Sequence, residues 1–224
     1  MQRSSDSRKR YYPILLDLTD RQCLVVGGGN VAERKVKTLL QSAAVVTIVS
    51  PQCTESLSLL AGQGRITWHR RDFSPDDIGK SFLVIAATSD SAVNQAVYQA
   101  ATSAGCLVNV IDNPELCNFI VPSVVERGDL MVAVSTSGAS PALAKKVRLE
   151  LEAMFGEEYT EFLEILAALR KRALGEIPEE GMRQELFRRL VNSEILSLLR
   201  EGRRDDAERL AEQIYRQGAV PGCA

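Results

Sequence analysis

The 224-residue chain is 45% apolar and 25% charged, with a formal net charge of -2 and an isoelectric point near 5.6. A globular chain of this size buries roughly 70% of its extended surface, enough for one large core or two modest ones. Ordinary Gly, Pro and charge content excludes wholesale disorder and fibrous designs. The mildly acidic balance excludes general backbone-led nucleic-acid binding, though it leaves room for a local basic pocket that takes a small anion.

Met1 to Arg10 (MQRSSDSRKR) is polar and lacks the apolar core of a signal peptide, so residues 1–11 read as a flexible tail. No apolar run approaches the roughly 20 residues needed to cross a bilayer, and a cytoplasmic protein is expected. The five cysteines (Cys23, Cys53, Cys106, Cys117 and Cys223) show no CxxC spacing and give no disulfide framework. Cys23 and Cys106 fall in strand-like apolar runs and read as core.

Gln22 to Val26 is a short buried-strand pattern followed at once by Gly27-Gly28-Gly29. Val31 to Leu40 has helical spacing, with Val31, Val36 and Leu39-Leu40 toward a sheet and Glu33, Arg34 and Lys37 toward water. Val45 to Val49 is a second β-branched run, which completes a βαβ signature. Ile66 to His69 reads as a third strand. Phe82 to Ala87 is almost wholly apolar, as in a parallel strand covered on both faces. A helix over Ala92 to Ala104 and a strand over Leu107 to Ile111 follow. Leu130 to Val134 is a further strand, and Ser140 and Pro141 open a helix to about Met154 as its cap and first turn. After Gly156 three helical patterns remain, Glu158 to Leu174, Met182 to Leu199 and Arg204 to Tyr215. They are separated by Gly175 to Gly181, which includes Pro178, and by Gly202.

Gly27 to Ala32 is a GxGxxA pattern set between a strand and a helix. Gly27 suits a tight turn, Gly29 lets a pyrophosphate approach the backbone, and Ala32 permits close helix–strand packing; the helix-start amides then face the phosphates. By itself the pattern also fits a plain glycine turn. The acid that usually holds the adenosine ribose is missing from the second strand tip, Val49-Ser50-Pro51-Gln52, and that tip carries no arginine either. Ribose contacts therefore fall to Ser50, Gln52 or backbone groups. Thr88, after the Phe82 strand, borders a nicotinamide or caps the next helix.

Asn109, Asp112 and Asn113 lie at the carboxyl end of the Leu107 strand, where open α/β sheets bind ligands. Asp112 reads equally as a proton acceptor, a metal contact or an Asx turn before Pro114. Ser135 to Pro141 can hold carboxylates or phosphates through hydroxyls and helix-start amides. Lys145, Lys146 and Arg148 beyond it read as substrate contacts or as a solvated face. His69 is the sole histidine, which excludes a multi-histidine metal site and a hydrolase triad within one chain.

The segments YYPILLDLTDRQCLVVGGGNVAERKVKTLL, VTIVSPQ, FLVIAATSD and VNVIDNPELCNFIVPSVVERGDLMVAVSTSGASPALAKKVR, with the helices after them, closely resemble the precorrin-2 dehydrogenase family, also called the siroheme-synthase N-terminal module. The resemblance runs from about Tyr12 into the helical tail. It rests on GGGNVAxRK, VNVxDxP and STSGxSP taken together. Ser42-Ala43 departs from the family's common alanine/glycine pair.

The resemblance implies an α/β fold: a Rossmann-like, doubly wound parallel sheet over 12–113, a dimerisation segment over 114–155, a small helical domain over 156–218, and a tail at 219–224. It implies oxidation of precorrin-2 to sirohydrochlorin with NAD as hydride acceptor, and homodimerisation; some family members also insert ferrous iron. Cofactor contacts would map to Gly28, Gly29, Asn30, Val31, Pro51 and Gln52, to which the reading of the residues themselves adds Gly27, Ser50 and Thr88. The family's important aspartate maps to Asp112, the expected catalytic residue and a transient metal contact where iron is inserted. Asn109, Thr136, Ser137, Ser140 and Lys145 are the substrate-side candidates. At 224 residues, methylation of uroporphyrinogen is not expected. Three rival readings stand beside this one: an NAD-dependent dehydrogenase of another acidic metabolite, a non-catalytic NAD-binding redox sensor, and, weakest, a purely structural or interaction protein.

Overall fold

The computed structural model describes residues 9–219; most of the two expected tails, and Cys223, lie outside the described residues. The chain forms two compact units, residues 1–121 and 122–224.

The first unit is built on five parallel strands: β1 (Gln22–Val26), β2 (Val45–Val49), β3 (Thr67–His69), β4 (Leu83–Ala86) and β5 (Leu107–Val110). Their order is β3-β2-β1-β4-β5. Because side chains alternate across a strand, a run such as CLVV supplies both faces at once. Cys23 and Val25 join Val46, Ile48, Leu83 and Ile85 under α1 (Asn30–Gln41) and α2 (Glu55–Gly62). Leu24 and Val26 join Val84, Ala86, Val108 and Val110 under α3 (Ser91–Ser103). Helix α1 buries Ala32, Val36 and Leu39, one residue round from the expected face at its start, and Val31 is half-buried. Burial pushes the Cys23 thiol up to about 11, which suits a core residue.

Helix α2 has no counterpart in the sequence reading. Its signal is Thr54, whose hydroxyl accepts from the Leu57 amide as an N-cap, followed by Glu55 in the first turn.

In the second unit, the Leu130 strand is not alone. As β7 (Leu130–Val134) it pairs antiparallel with β6 (Ser123–Arg127), which the sequence reading did not separate out. The Gly128-Asp129 turn between them places Gly128 at φ +55, and a Cβ there would lie 2.8 Å from Thr160 Cγ2. Helix α4 spans Pro141–Met154, and the Ser140 hydroxyl accepts from the Leu143 amide as its cap. Helices α5 (Glu158–Glu176), α6 (Glu180–Val191), α7 (Ile195–Arg200) and α8 (Arg204–Ala219) enclose a separate core that includes Phe162, Leu169, Leu186, Leu190, Ile195, Ala211 and Tyr215.

The single helix expected over Met182 to Leu199 is two helices. At the break the Asn192 side-chain amide donates to Arg188 O, and the Ser193 hydroxyl donates to Leu190 O while accepting from the Ile195 amide. These short polar side chains supply bonds that compete with the helical ladder.

Candidate functional site

In a doubly wound sheet, ligands bind beyond the carboxyl ends of the strands where the strand order reverses. Here that point lies between β1 and β4. The loops leaving these two strands touch. Gly27 has φ +116, and a Cβ on it would lie 2.4 Å from Ala87 O. Gly28 meets the next loop in the same way, for a Cβ there would lie 2.0 Å from Gln52 O. Gly29 differs, since nothing stands within 4 Å of its Cβ position. Thus two glycines are required by the protein's own backbone, and the third borders open space.

Helix α1 starts at that open space, and no side chain caps it. Its first amides have no intrahelical acceptors and form a donor set suited to a pyrophosphate. The carboxylate nearest in sequence, Glu33, is already engaged. It accepts from Lys37 Nζ and from Thr54 Oγ1, both at 2.6 Å. The Lys37 bond first, and then the Thr54 bond, hold its carboxyl down at about 2. The residues present therefore fit a dinucleotide's phosphates.

At the β2 tip, Ser50 is buried, and its hydroxyl donates to Gln52 O at 2.7 Å. Its amide donates to His69 O, and its carbonyl accepts from Trp68 Nε1 at 2.9 Å. Ser50 thus shapes the tip, while Pro51 and Gln52 are exposed there. The sequence reading found no arginine at this tip. The parallel pairing of β3 with β2 adds two on the neighbouring strand's exit, because Arg70 and Arg71 follow His69, which stands opposite Val49.

Thr88 lies after β4, with its hydroxyl set among Asp90 O, Asn94 Oδ1 and the Asp90 amide. The N-cap of α3 is Asp90, which accepts from the Ala92 and Val93 amides. Thr88 braces that cap instead of forming it.

Beyond β5, Asn109 is buried, and its side-chain amide donates to Phe119 O at 3.2 Å and to Cys117 Sγ at 3.5 Å. Asp112 is exposed and held at φ +58, in a turn closed by the Asn113 amide bonding to Val110 O. Among the described residues its carboxylate has no hydrogen-bond or ion-pair partner. Left-handed backbone at a non-glycine residue is uncommon, and Asp tolerates it better than most. The segment after Asp112 is pinned by Lys9, which sequence reasoning left in the tail. Its ammonium donates to the carbonyls of Pro114, Cys117 and Glu115 at 2.8, 3.0 and 3.2 Å. A separation of more than 100 residues gives no local signal for this contact.

Thr136, Ser137, Ser140 and Lys145 belong to the second unit. Ser137 and Gly138 both take positive φ in a turn closed by the Ala139 amide bonding to Thr136 O, the pattern of a type I′ turn. The Thr136 hydroxyl bonds the Ser140 backbone, and the Ser140 hydroxyl caps α4. On α4, Lys146 faces Glu150 and Arg148 bonds Glu152, while Lys145 is exposed with no ion-pair partner among the described residues. No group of three or more His, Cys, Asp or Glu side chains among the described residues is arranged to hold a metal ion. No described helix is long and apolar enough to cross a membrane.

Residues 14–123 match a family described as putative NAD(P)-binding, 127–154 one described as sirohaem biosynthesis protein central, and 158–214 one described as sirohaem synthase dimerisation region. The chain is 40% identical over 212 residues to the siroheme synthase of Nitrosococcus oceani, covering 95% of this chain and 45% of that protein. It is 40% identical over 200 residues to the siroheme synthase of Methylococcus capsulatus, covering 89% and 42% respectively. It therefore spans less than half the length of these curated relatives. A solved structure titled SirC, precorrin-2 dehydrogenase, superposes with a TM-score of 0.78 at 28% identity, covering 91% of this chain and 100% of that one. Sequence and fold together place the chain in the siroheme synthase and precorrin-2 dehydrogenase-like family, to whose dinucleotide-binding, central and dimerisation regions it corresponds.

Proposed function

We propose that this chain oxidises precorrin-2 to sirohydrochlorin, with NAD as hydride acceptor, in siroheme synthesis. The observation that carries this reading is the carboxylate of Asp112, unpartnered among the described residues, at the same carboxyl edge of the sheet as the glycine turn. Family membership supports the substrate class.

Removing two hydrogens from a tetrapyrrole requires a hydride to leave in one direction and a proton in another. The nicotinamide, when bound, supplies the hydride acceptor. The chain's own residues do the rest. Gly29 and the uncapped start of α1, with Asn30 and Val31, bind phosphate; Pro51 and Gln52 border the adenosine; and Asp112 takes up the proton. Gly27 and Gly28 hold the loops in register, as do Ser50 and Thr88. On the second unit, Lys145 and the Ser137 turn offer a cation and donors to the substrate's carboxylates, with Thr136 and Ser140 shaping that turn. Asn109 serves by fixing the loop that follows Asp112.

Homodimerisation is part of the proposal. It is supported by the match to a dimerisation region and by apolar side chains left in solvent on β7 and α4, where Met131, Leu149 and Met154 are 47%, 49% and 64% exposed. Light scattering on the purified chain reads the stoichiometry directly.

The test is an anaerobic assay with precorrin-2 and NAD, following NADH and sirohydrochlorin, with ferrous iron added afterwards. Equimolar NADH and sirohydrochlorin are expected. A folded protein that binds NAD and yields neither would overturn the activity. Siroheme formed faster than in a protein-free control would add iron insertion, with Asp112 as the group that takes up pyrrole protons or holds the metal in passing.

A further inference from the structure

Strand β3 is the edge of the sheet beside β2, and its last residue, His69, stands opposite Val49. Arg70 and Arg71 follow it, and the Arg71 amide bonds back to His69 O, so the chain turns as it leaves β3, where the Ser50 amide of the β2 tip also bonds His69 O. This is the place where a dinucleotide-binding sheet reads the adenosine ribose, by an acid that selects the free 2′-hydroxyl or by an arginine that accepts a 2′-phosphate. No Asp or Glu stands at the β2 tip itself, Val49 to Gln52, to select the free 2′-hydroxyl.

The two arginines differ. Arg71 is committed: its guanidinium donates to both carboxylate oxygens of Asp77, at 2.8 and 2.5 Å. Asp77 also accepts from the Ser74 amide, which fixes the pair as a brace for the loop. Arg70 has no carboxylate within ion-pair reach among the described residues. Its guanidinium stands 5.6 Å from the centroid of the Trp68 ring. That ring is itself anchored to the β2 tip, through the bond from Trp68 Nε1 to Ser50 O. A permanently charged, flat guanidinium is thus seated over an aromatic ring that is tied to the tip, and its donors make no hydrogen bond among the described residues. Such a group suits a phosphate dianion, which it can meet through two parallel bonds.

We propose that Arg70, seated on Trp68 beside the β2 tip, makes this site accept the 2′-phosphorylated dinucleotide NADP as well as NAD, by holding the 2′-phosphate. The inference rests on reading the carboxyl edge of the first unit as a dinucleotide site. It adds the group that sets which dinucleotide enters.

Trp68 is the sole tryptophan in the chain, so its emission reports on this corner without turnover. Purified full-length protein is titrated with NAD and separately with NADP, following Trp68 fluorescence and, in parallel, heat. NADP should bind within about tenfold of NAD. The substitution Arg70→Gln should weaken NADP about tenfold more than it weakens NAD, the size expected for one charge-assisted bonding group. Added salt should weaken NADP more steeply than NAD, because the extra phosphate is screened. Arg70→Lys should restore part of the NADP affinity. NAD binding with NADP more than a hundredfold weaker overturns the proposal and leaves the dinucleotide site standing. Equal losses for both ligands in Arg70→Gln do the same. Failure of a folded protein to bind either ligand overturns the proposal together with the site.

Discussion

A Cβ on Gly28 would lie 2.0 Å from the carbonyl oxygen of Gln52, so the turn after β1 and the loop after β2 meet backbone to backbone. Neither side of that contact is a flexible side chain that could move away. Gly29, the next residue, faces open space, and its φ is not positive. The two adjacent glycines are therefore separable: the fold requires Gly28, while Gly29 is free for the phosphate contact proposed for it.

Gly28→Ala should destabilise the first unit by about 1–3 kcal/mol, the range for forcing extra volume into a packed site. Gly29→Ala should leave thermal stability nearly unchanged and weaken dinucleotide binding by about tenfold or more, since the added methyl enters the phosphate's space. Thermal melts paired with calorimetric titration separate the two. Equal loss of stability in both variants would contradict the assignment.

Asp112 combines an exposed carboxylate, without a partner among the described residues, with a left-handed backbone at φ +58. Asp112→Asn keeps the shape and the tolerance for that backbone, so it should fold and bind NAD normally. Its turnover should fall about 10²-fold or more, as expected for a lost general base. Asp112→Gly should be equally inactive yet at least as stable, because glycine relieves about 1 kcal/mol of backbone strain. Single-turnover kinetics beside melting curves would check both halves.

The ammonium of Lys9 holds three carbonyls in the segment after Asp112. This contact is largely exposed, so its contribution to global stability should be no more than about 1 kcal/mol. Its effect should be local. Lys9→Met should speed amide exchange across residues 114–118 and lower turnover several-fold at unchanged NAD affinity, with Lys9→Arg recovering part of the loss. Unchanged exchange in that segment would show that the loop does not depend on Lys9.

Two carboxylates, one in each unit, are among those that contribute to acid sensitivity. Lys37 and Thr54 hold Glu33 down at about 2, and the Arg172 and Arg216 guanidinium groups hold Glu212 at about 2, both from an ordinary value of 4.5. A carboxyl depressed on folding contributes stability that is fully present above its unfolded value and is lost as pH falls through the folded one. Both contributions should therefore disappear between about pH 4.5 and pH 2. Glu33→Gln and Glu212→Gln should each flatten the dependence of stability on pH in that window. Chemical denaturation repeated from pH 6 to pH 2 would measure it, and a variant with the parent's slope would show its carboxylate to be uninvolved.

Much of this molecule is written locally. The apolar run in QCLVV, the β-branched run in VVTIV, the GxGxxA turn and the Ser140-Pro141 helix start each determined an element within a residue or two. The reason is that strand period, glycine conformation and helix capping depend on near neighbours. The order of chemistry along the chain also gave the carboxyl edge of the sheet as the expected place for a ligand, the edge at which the proposed function sets it. Where local signals competed, the pattern misled: Asn192 and Ser193 look compatible with one long helix until their side chains bond the backbone and divide it. What only the tertiary structure decided depends on contacts distant in sequence. The β6 segment is a strand because β7 folds back on it. Gly28 is required by Gln52, Trp68 bonds the β2 tip because β3 pairs in parallel there, and Lys9 finds carbonyls more than 100 residues away. Such relationships arise when the chain closes on itself, and no window along the sequence contains both partners.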